Sequence, residues 1–154
     1  MLMGGSTNTL DSKGRLVIPV KWRADLTDHI IILYGFGSSE EEHFLQLMSR
    51  ERFLDITREM DNLHPTDTTF IKAMRFILPN AEELTPDKQG RVLIPQKLLK
   101  YAQINGEVFL SGMSNRIEVW DPELYRQACE KYDLSAFNKD MIALADKSRQ
   151  GGLK

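Results

Sequence analysis

Leu10-Asp11-Ser12-Lys13-Gly14-Arg15-Leu16-Val17-Ile18-Pro19 returns later in the chain as Pro86-Asp87-Lys88-Gln89-Gly90-Arg91-Val92-Leu93-Ile94-Pro95, at an offset of 76 residues. Asp, Gly, Arg, Ile and Pro recur at identical spacing, and two apolar residues fill the slots between Arg and Ile in both copies. A repeated turn leading into a repeated apolar run is a repeated structural unit, and whatever the turn presents to a partner is presented twice. Asp-x-x-Gly-Arg reads as a tight turn. Asp11 and Asp87 are expected to brace it, accepting from backbone amides or pairing with arginine, in preference to contacting a ligand directly, and Gly14 and Gly90 are free to take positive φ. Residues 16–18 and 92–94 are β-prone returns. With the short strands expected at 6–10 and 81–85, each copy reads as a hairpin-like unit.

The repeat continues outward from the turns. Pro19 and Pro95 are suited to the first turn of short helices over 20–26 and 96–102. Apolar runs follow at 30–33 and 108–110, then second strands at 44–48 and 116–120, where Ile117 and Val119 alternate with Glu118. The offset falls to 72 here, so the first copy carries an insertion within 35–42. Ser49 and Asp121 read as helix caps, with Pro122 at a first helical position. Phe53, Ile56, Met60 and Leu63 share one helical face; Tyr125, Ala128, Cys129 and Tyr132 share another, on which Cys129 is expected to be a buried structural thiol. Pro65 is expected to end the first of these helices, and 67–78 to form another that bridges the copies. From Ser135 a loosely docked helix with a frayed end is expected.

A single copy would leave strand edges open and bury too little surface to stand alone. The two copies are therefore expected to pair about a pseudo-twofold axis, each completing the other's small barrel. The fold class that follows is α+β and β-rich: two tandem units interleaved into a small β-barrel with flanking helices. The expected division is 5–51 for the first unit, 52–80 for a helical connection, 81–124 for the second unit and 125–154 for a C-terminal helix and tail. Left-over apolar helical faces suggest assembly between chains.

Composition narrows the functional classes. The 154 residues are 42% hydrophobic and 27% charged, as in soluble globular proteins. One cysteine permits no intrachain disulfide and fits a reducing cytosol. Residues 1–5 lack the basic start and apolar core of a signal peptide, and no apolar run approaches the roughly 18 residues that span a bilayer, so no membrane association is expected. His29, His43 and His64 show no metal-ligand spacing, Gly35-Phe36-Gly37-Ser38-Ser39 lacks the Lys-Ser/Thr ending of a phosphate loop, and no acid–base pair stands out. Neither an enzyme nor a cofactor or metal is expected.

Charge points to a ligand class. Between 11 and 23, Lys13, Arg15, Lys21 and Arg23 face Asp11 alone; between 87 and 100, Lys88, Arg91, Lys97 and Lys100 face Asp87 alone. Each stretch is +3 in a chain of net charge −2, so the remainder is −8. Cations gathered in the repeated motif of an acidic protein fit local contact with phosphates. An arginine after the turn can also fork onto guanine O6 and N7, and two strands joined by a turn fit the major groove. The residues leave two readings for Arg15 and Arg91, ligand contact or structural salt bridge. Lys21, Arg23, Lys97 and Lys100 fit either contacts or solvated helix faces.

At these residues the chain resembles the MraZ family, bacterial proteins built from two SpoVT/AbrB-like domains. The family's Asp-x-x-x-Arg signature is met by Asp11 with Arg15 and by Asp87 with Arg91, inside a longer match through Ile-Pro in both copies. Asn115-Arg116-Ile117-Glu118-Val119-Trp120 is similar to the family's second-domain strand. The resemblance covers about residues 1–134. It implies a sequence-specific DNA-binding transcriptional regulator that represses the division and cell-wall gene cluster through short direct repeats upstream of it. It also implies a homo-oligomer, as a ring, acting at the nucleoid in the cytoplasm. DNA contact would fall on Arg15 with Lys13 and on Arg91 with Lys88. Gln89 stands where the first copy has Lys13, so unequal contributions are expected. The rival reading is an oligomeric scaffold or an antitoxin-like protein-binding module.

Overall fold

In the computed structural model, residues 1–36, 39–63 and 66–152 are described. Strand β3 (Ile30–Tyr34) organises the architecture: five apolar residues in succession, all buried, as a strand covered on both faces requires. It pairs antiparallel with β4 (Leu45–Ser49), and β7 (Glu107–Gly112) pairs in the same way with β8 (Ile117–Trp120). These are the local hairpins of the two copies. Ten residues join the first pair and four the second, which places the insertion seen in the sequence; its Gly37 and Ser38 lie outside the described residues.

The remaining strands cross over. β1 (Gly5–Thr9) pairs with β7 of the other copy, and β5 (Glu82–Leu84) pairs with β3. The sheet order is β1-β7-β8-β4-β3-β5, antiparallel throughout, and β4 and β8 join the halves with Gln46 opposite Glu118. A separate two-stranded ribbon is made by β2 (Arg15–Val17) and β6 (Arg91–Leu93), with Leu16 opposite Val92. The central pair, Leu16 and Val92, are the equivalent residues of the two copies, 76 apart in sequence, so a pseudo-twofold axis passes between them. The interleaving expected of the copies is present. The hairpin within each copy is not, because β1 and β2 flank the first turn without pairing. Leu16 and Val92 explain the choice: both must face the core, and pairing across the axis buries both at once, to 0% and 1% exposure.

One face of the large sheet, the ribbon's inner face and two short helices enclose the main core. Helices α1 (Val20–Leu26) and α4 (Gln96–Tyr101) supply Trp22, Leu26 and Leu98 to it. Pro19 and Pro95 sit just outside these helices, at the N-cap with ψ of 135° and 137°, and not in the first turn. The extended backbone of each proline closes the strand before the helix begins. On the opposite face, Ile31, Leu33 and Met48 pack against Phe53 and Ile56 of α2 (Arg50–Leu63) and against Ile77 at the end of α3 (Thr68–Ile77). Ser49 Oγ accepts from Arg52 N at 3.2 Å and Asp67 Oδ1 from Phe70 N at 3.1 Å, capping the two helices. The break expected at Pro65 lies outside the described residues. A single 3₁₀ turn (Leu78–Asn80) leads from α3 into β5.

Residues 123–154 form a second compact unit, separate from residues 1–122. It holds nearly all of α5 (Pro122–Cys129) and the whole of α6 (Leu134–Gly152); Leu153 and Lys154 lie outside the described residues. Arg126 bridges Glu123 at 2.6 Å and Glu130 at 2.8 Å, and this guanidinium pulls the Glu123 carboxyl down to about 2. Cys129 is exposed, contrary to the buried thiol expected, as are Ala128 and Tyr132. Helical spacing groups residues on one face; it does not supply anything to cover that face. Among the described residues no helix is long and apolar enough to cross a membrane.

Candidate nucleic-acid interface

Each repeated turn is closed by its aspartate. Asp11 Oδ1 accepts from Lys13 N and Arg15 N, both at 2.9 Å, while Asp11 Oδ2 takes Arg15 Nε at 2.5 Å. The second turn repeats the pattern: Asp87 Oδ1 accepts from Gln89 N and Arg91 N at 2.9 Å, and Oδ2 from Arg91 Nε at 2.7 Å. Gly14 N donates to Asp11 O at 3.0 Å and Gly90 N to Asp87 O at 2.9 Å. The two glycines have φ of +82° and +78°, the left-handed region that L side chains avoid. The carboxyls of Asp11 and Asp87 are held below their ordinary value. The backbone N–H of the arginine four residues on contributes most, and the guanidinium adds to it against a partial loss of hydration.

The turns are also clasped by one another's copy. Ile94 N donates to Gly14 O at 3.1 Å, and Ile18 N donates to Gly90 O at 2.9 Å. Their positions relative to each other are thus fixed by main-chain bonds at both ends of the ribbon.

Strand alternation then decides where the cations point. Leu16 and Val92 face inward, so Arg15, Val17, Arg91 and Leu93 all lie on the outer face. Arg15 stands opposite Leu93 and Val17 opposite Arg91. The two arginines are diagonal neighbours, about 7–8 Å apart at Cα by the geometry of an antiparallel pair. Each side chain is 29% exposed and each Nε is taken by its aspartate. Among the described residues, the terminal Nη atoms of both have no protein partner. An Nε tether of this kind orients the guanidinium plane and leaves its outer edge for a bidentate acceptor. Lys13 and Lys88 are exposed at the tips of the two turns.

The helix cations divide. Arg23 is a structural brace: its Nε donates to Ile18 O at 2.8 Å and its Nη2 to Gln89 O at 3.4 Å, behind the second turn. The matching residue behind the first turn is Leu99, which approaches Gly14 through Cδ1. Lys21 folds back over its neighbour, its Nζ 4.7 Å from the Trp22 ring centroid. Lys97 and Lys100 are exposed. Val17 and Leu93, β-prone residues with no charge to mark them, are 44% and 57% exposed between the arginines. The signal was present as period-two alternation: once Leu16 and Val92 are assigned to the core, their neighbours must face out.

Comparison with known proteins agrees with the duplication. A family described as "MraZ protein, putative antitoxin-like" matches the chain twice, over residues 1–72 and 77–146. The second match runs on into α6, beyond the 134 at which the resemblance was expected to stop. A protein of Thermoanaerobacter pseudethanolicus named transcriptional regulator MraZ is 35% identical over 135 residues, covering 88% of this chain and 91% of its own length.

Proposed function

Since the chain belongs to the MraZ family, we propose that it is a transcriptional regulator that binds double-stranded DNA through the outer face of the β2–β6 ribbon. One observation carries the reading. Two guanidinium groups, each tethered at Nε by its own aspartate, stand diagonally on one outward face, their Nη edges without a protein partner among the described residues. A two-stranded antiparallel ribbon fits the major groove, and a forked guanidinium there matches guanine O6 and N7. Lys13 and Lys88 extend the cationic edge toward flanking phosphates, and the −8 of the remaining chain limits adhesion elsewhere. The sites are Arg15, Lys13, Arg91 and Lys88, with Asp11, Gly14, Asp87 and Gly90 shaping the turns.

The finer reading follows the family resemblance. The chain represses the division and cell-wall gene cluster by binding short direct repeats upstream, as a homo-oligomeric ring at the nucleoid in the cytoplasm, without a cofactor or catalytic step. One ribbon gives modest affinity, and repetition around an oligomer raises it by raising the effective concentration of neighbouring sites.

The test is a titration against duplex DNA from upstream of the chain's own operon. Regulation predicts tight binding, loss of binding when the repeats are scrambled, and log affinity falling with log salt with a slope of several units. A scaffold or protein-binding module gives equal, weak binding to both duplexes, and that result refutes the proposal.

A further inference from the structure

We infer that Val17 and Leu93 are specificity-determining residues of the ribbon, reading the 5-methyl group of thymines beside the guanines taken by Arg15 and Arg91. This rests on the DNA-binding reading above and adds a second chemistry to it. The outer face of the ribbon carries four side chains: Arg15 faces Leu93 at one end, and Arg91 faces Val17 at the other. Each cation therefore has an aliphatic side chain directly across the ribbon. Neither aliphatic belongs to the core, which takes Leu16 and Val92 from the same two strands. Val17 and Leu93 remain 44% and 57% exposed on a rigid scaffold, at the centre of a cationic surface.

An aliphatic pair is poorly matched to phosphates, since it offers no donor. In the major groove it has one good partner, the thymine methyl, which no other base presents. Spacing supports the same assignment. Side chains two residues apart on a strand are separated by about 6.8 Å, twice the roughly 3.4 Å by which DNA rises along its axis per base pair. The two ends of the ribbon therefore reach base pairs about two steps apart. With the pseudo-twofold axis between Leu16 and Val92 laid on a dyad of the duplex, the paired contacts fall on opposite DNA strands, each guanine contact accompanied by a methyl contact. Val17 is one methylene shorter than Leu93, so the two ends discriminate unequally.

The experiment uses the full chain. Duplexes that it enriches from a random-sequence library are resynthesised with deoxyuridine replacing thymine at one position at a time, which removes only the methyl. Binding is measured for the unaltered chain and for Val17→Ser with Leu93→Ser; both residues are exposed, and an unchanged melting temperature verifies the variant's fold. The expected result is a loss of about fourfold at each of two positions for the unaltered chain, corresponding to roughly 0.8 kcal/mol per methyl-sized group, and no loss at those positions for the variant. Equal penalties in both proteins, or none in either while tight binding persists, overturns the inference and leaves the DNA-binding reading standing. A variant that keeps the thymine penalty but changes its oligomeric state by light scattering also overturns it, by assigning the patch to contact between copies. Failure to enrich any duplex refutes the DNA-binding reading and this inference with it.

Discussion

The first and second turns share one brace and differ in what stands around it. Both hold an arginine through its aspartate, and both lend the glycine carbonyl to the opposite copy. At the tip, the first turn carries Ser12 and Lys13 where the second carries Lys88 and Gln89. Behind the glycine, the first has the apolar Leu99 and the second has the Arg23 guanidinium. What the turns share sets the geometry of the arginines. What differs sets how each turn fails when altered and, under the proposed DNA contact, how strongly each one binds.

The largest expected effect comes from removing the arginines. Arg15→Ala and Arg91→Ala should each weaken operator binding by about 1–3 kcal/mol, roughly 5- to 150-fold. The first should cost more, because Lys13 stands beside Arg15. Melting temperature should hardly move, since partly exposed ion pairs contribute about 0–1 kcal/mol. Equal losses in a binding titration would break the asymmetry, and loss of folding would make the residues structural.

Next come the glycines. A Cβ at either position is forced into left-handed backbone at about 1–2 kcal/mol. At Gly90 it also runs into the Arg23 guanidinium, whereas at Gly14 the nearest atom is Gln96 Nε2 at 3.3 Å. Gly90→Ala should therefore unfold at lower denaturant than Gly14→Ala. Combining it with Arg23→Ala sharpens the point: the clash disappears, and the remaining cost should approach that of Gly14→Ala plus the lost brace.

The tips give a smaller contrast, visible in salt dependence. Lys13→Gln should reduce the slope of log affinity against log salt by about 0.9, and Gln89→Lys should raise it by a similar amount. No change in slope for either would mean that the tips do not reach phosphates.

The smallest contrast lies in acid. Asp11 and Asp87 both have folded-state pKa values below the ordinary 3.8, so each contributes stability above that value and loses it as pH falls through the depressed one. Melting temperature should fall more steeply below about pH 4 for the unaltered chain than for Asp11→Asn with Asp87→Asn. Each single variant should recover about half of the difference, because the two braces match. Unequal halves would show that Arg23 or Lys13 reaches the carboxylates.

The strands, helices and turns were legible because each rests on local pattern. Ile117, Glu118 and Val119 alternate, Ser49 caps α2, and Asp-x-x-Gly-Arg spells a turn that its own aspartate closes. Partners distant in sequence were not legible. Residues 6–10 and 16–18 look like two arms of one hairpin, and nothing local says that the first pairs with β7 and the second with β6. Arg23 looked like one more helix cation because its acceptor in the second turn, Gln89 O, is 66 residues away. Cys129 failed for a related reason: periodicity groups it with Tyr125 and Tyr132, but burial depends on a surface that the sequence does not specify. Within the candidate site, the cations could be read from charge alone and the outward face of Val17 and Leu93 from alternation, whereas their places opposite Arg91 and Arg15 follow only from the register of β2 on β6.

The crossed strands have a consequence for biosynthesis. Gly5 pairs with Ser111, so β1 leaves the ribosome long before its partner has been made. At translation rates of about 5–20 residues per second, that strand waits on the order of 5–20 s with its edge unpaired. Local hairpins close in microseconds, so β3 with β4 can form early while the N-terminal strand stays unprotected until the last third of the chain arrives. The nascent half-protein is then a template for the wrong neighbour on a crowded polysome, and slowing translation between the copies should lower the yield of folded chain.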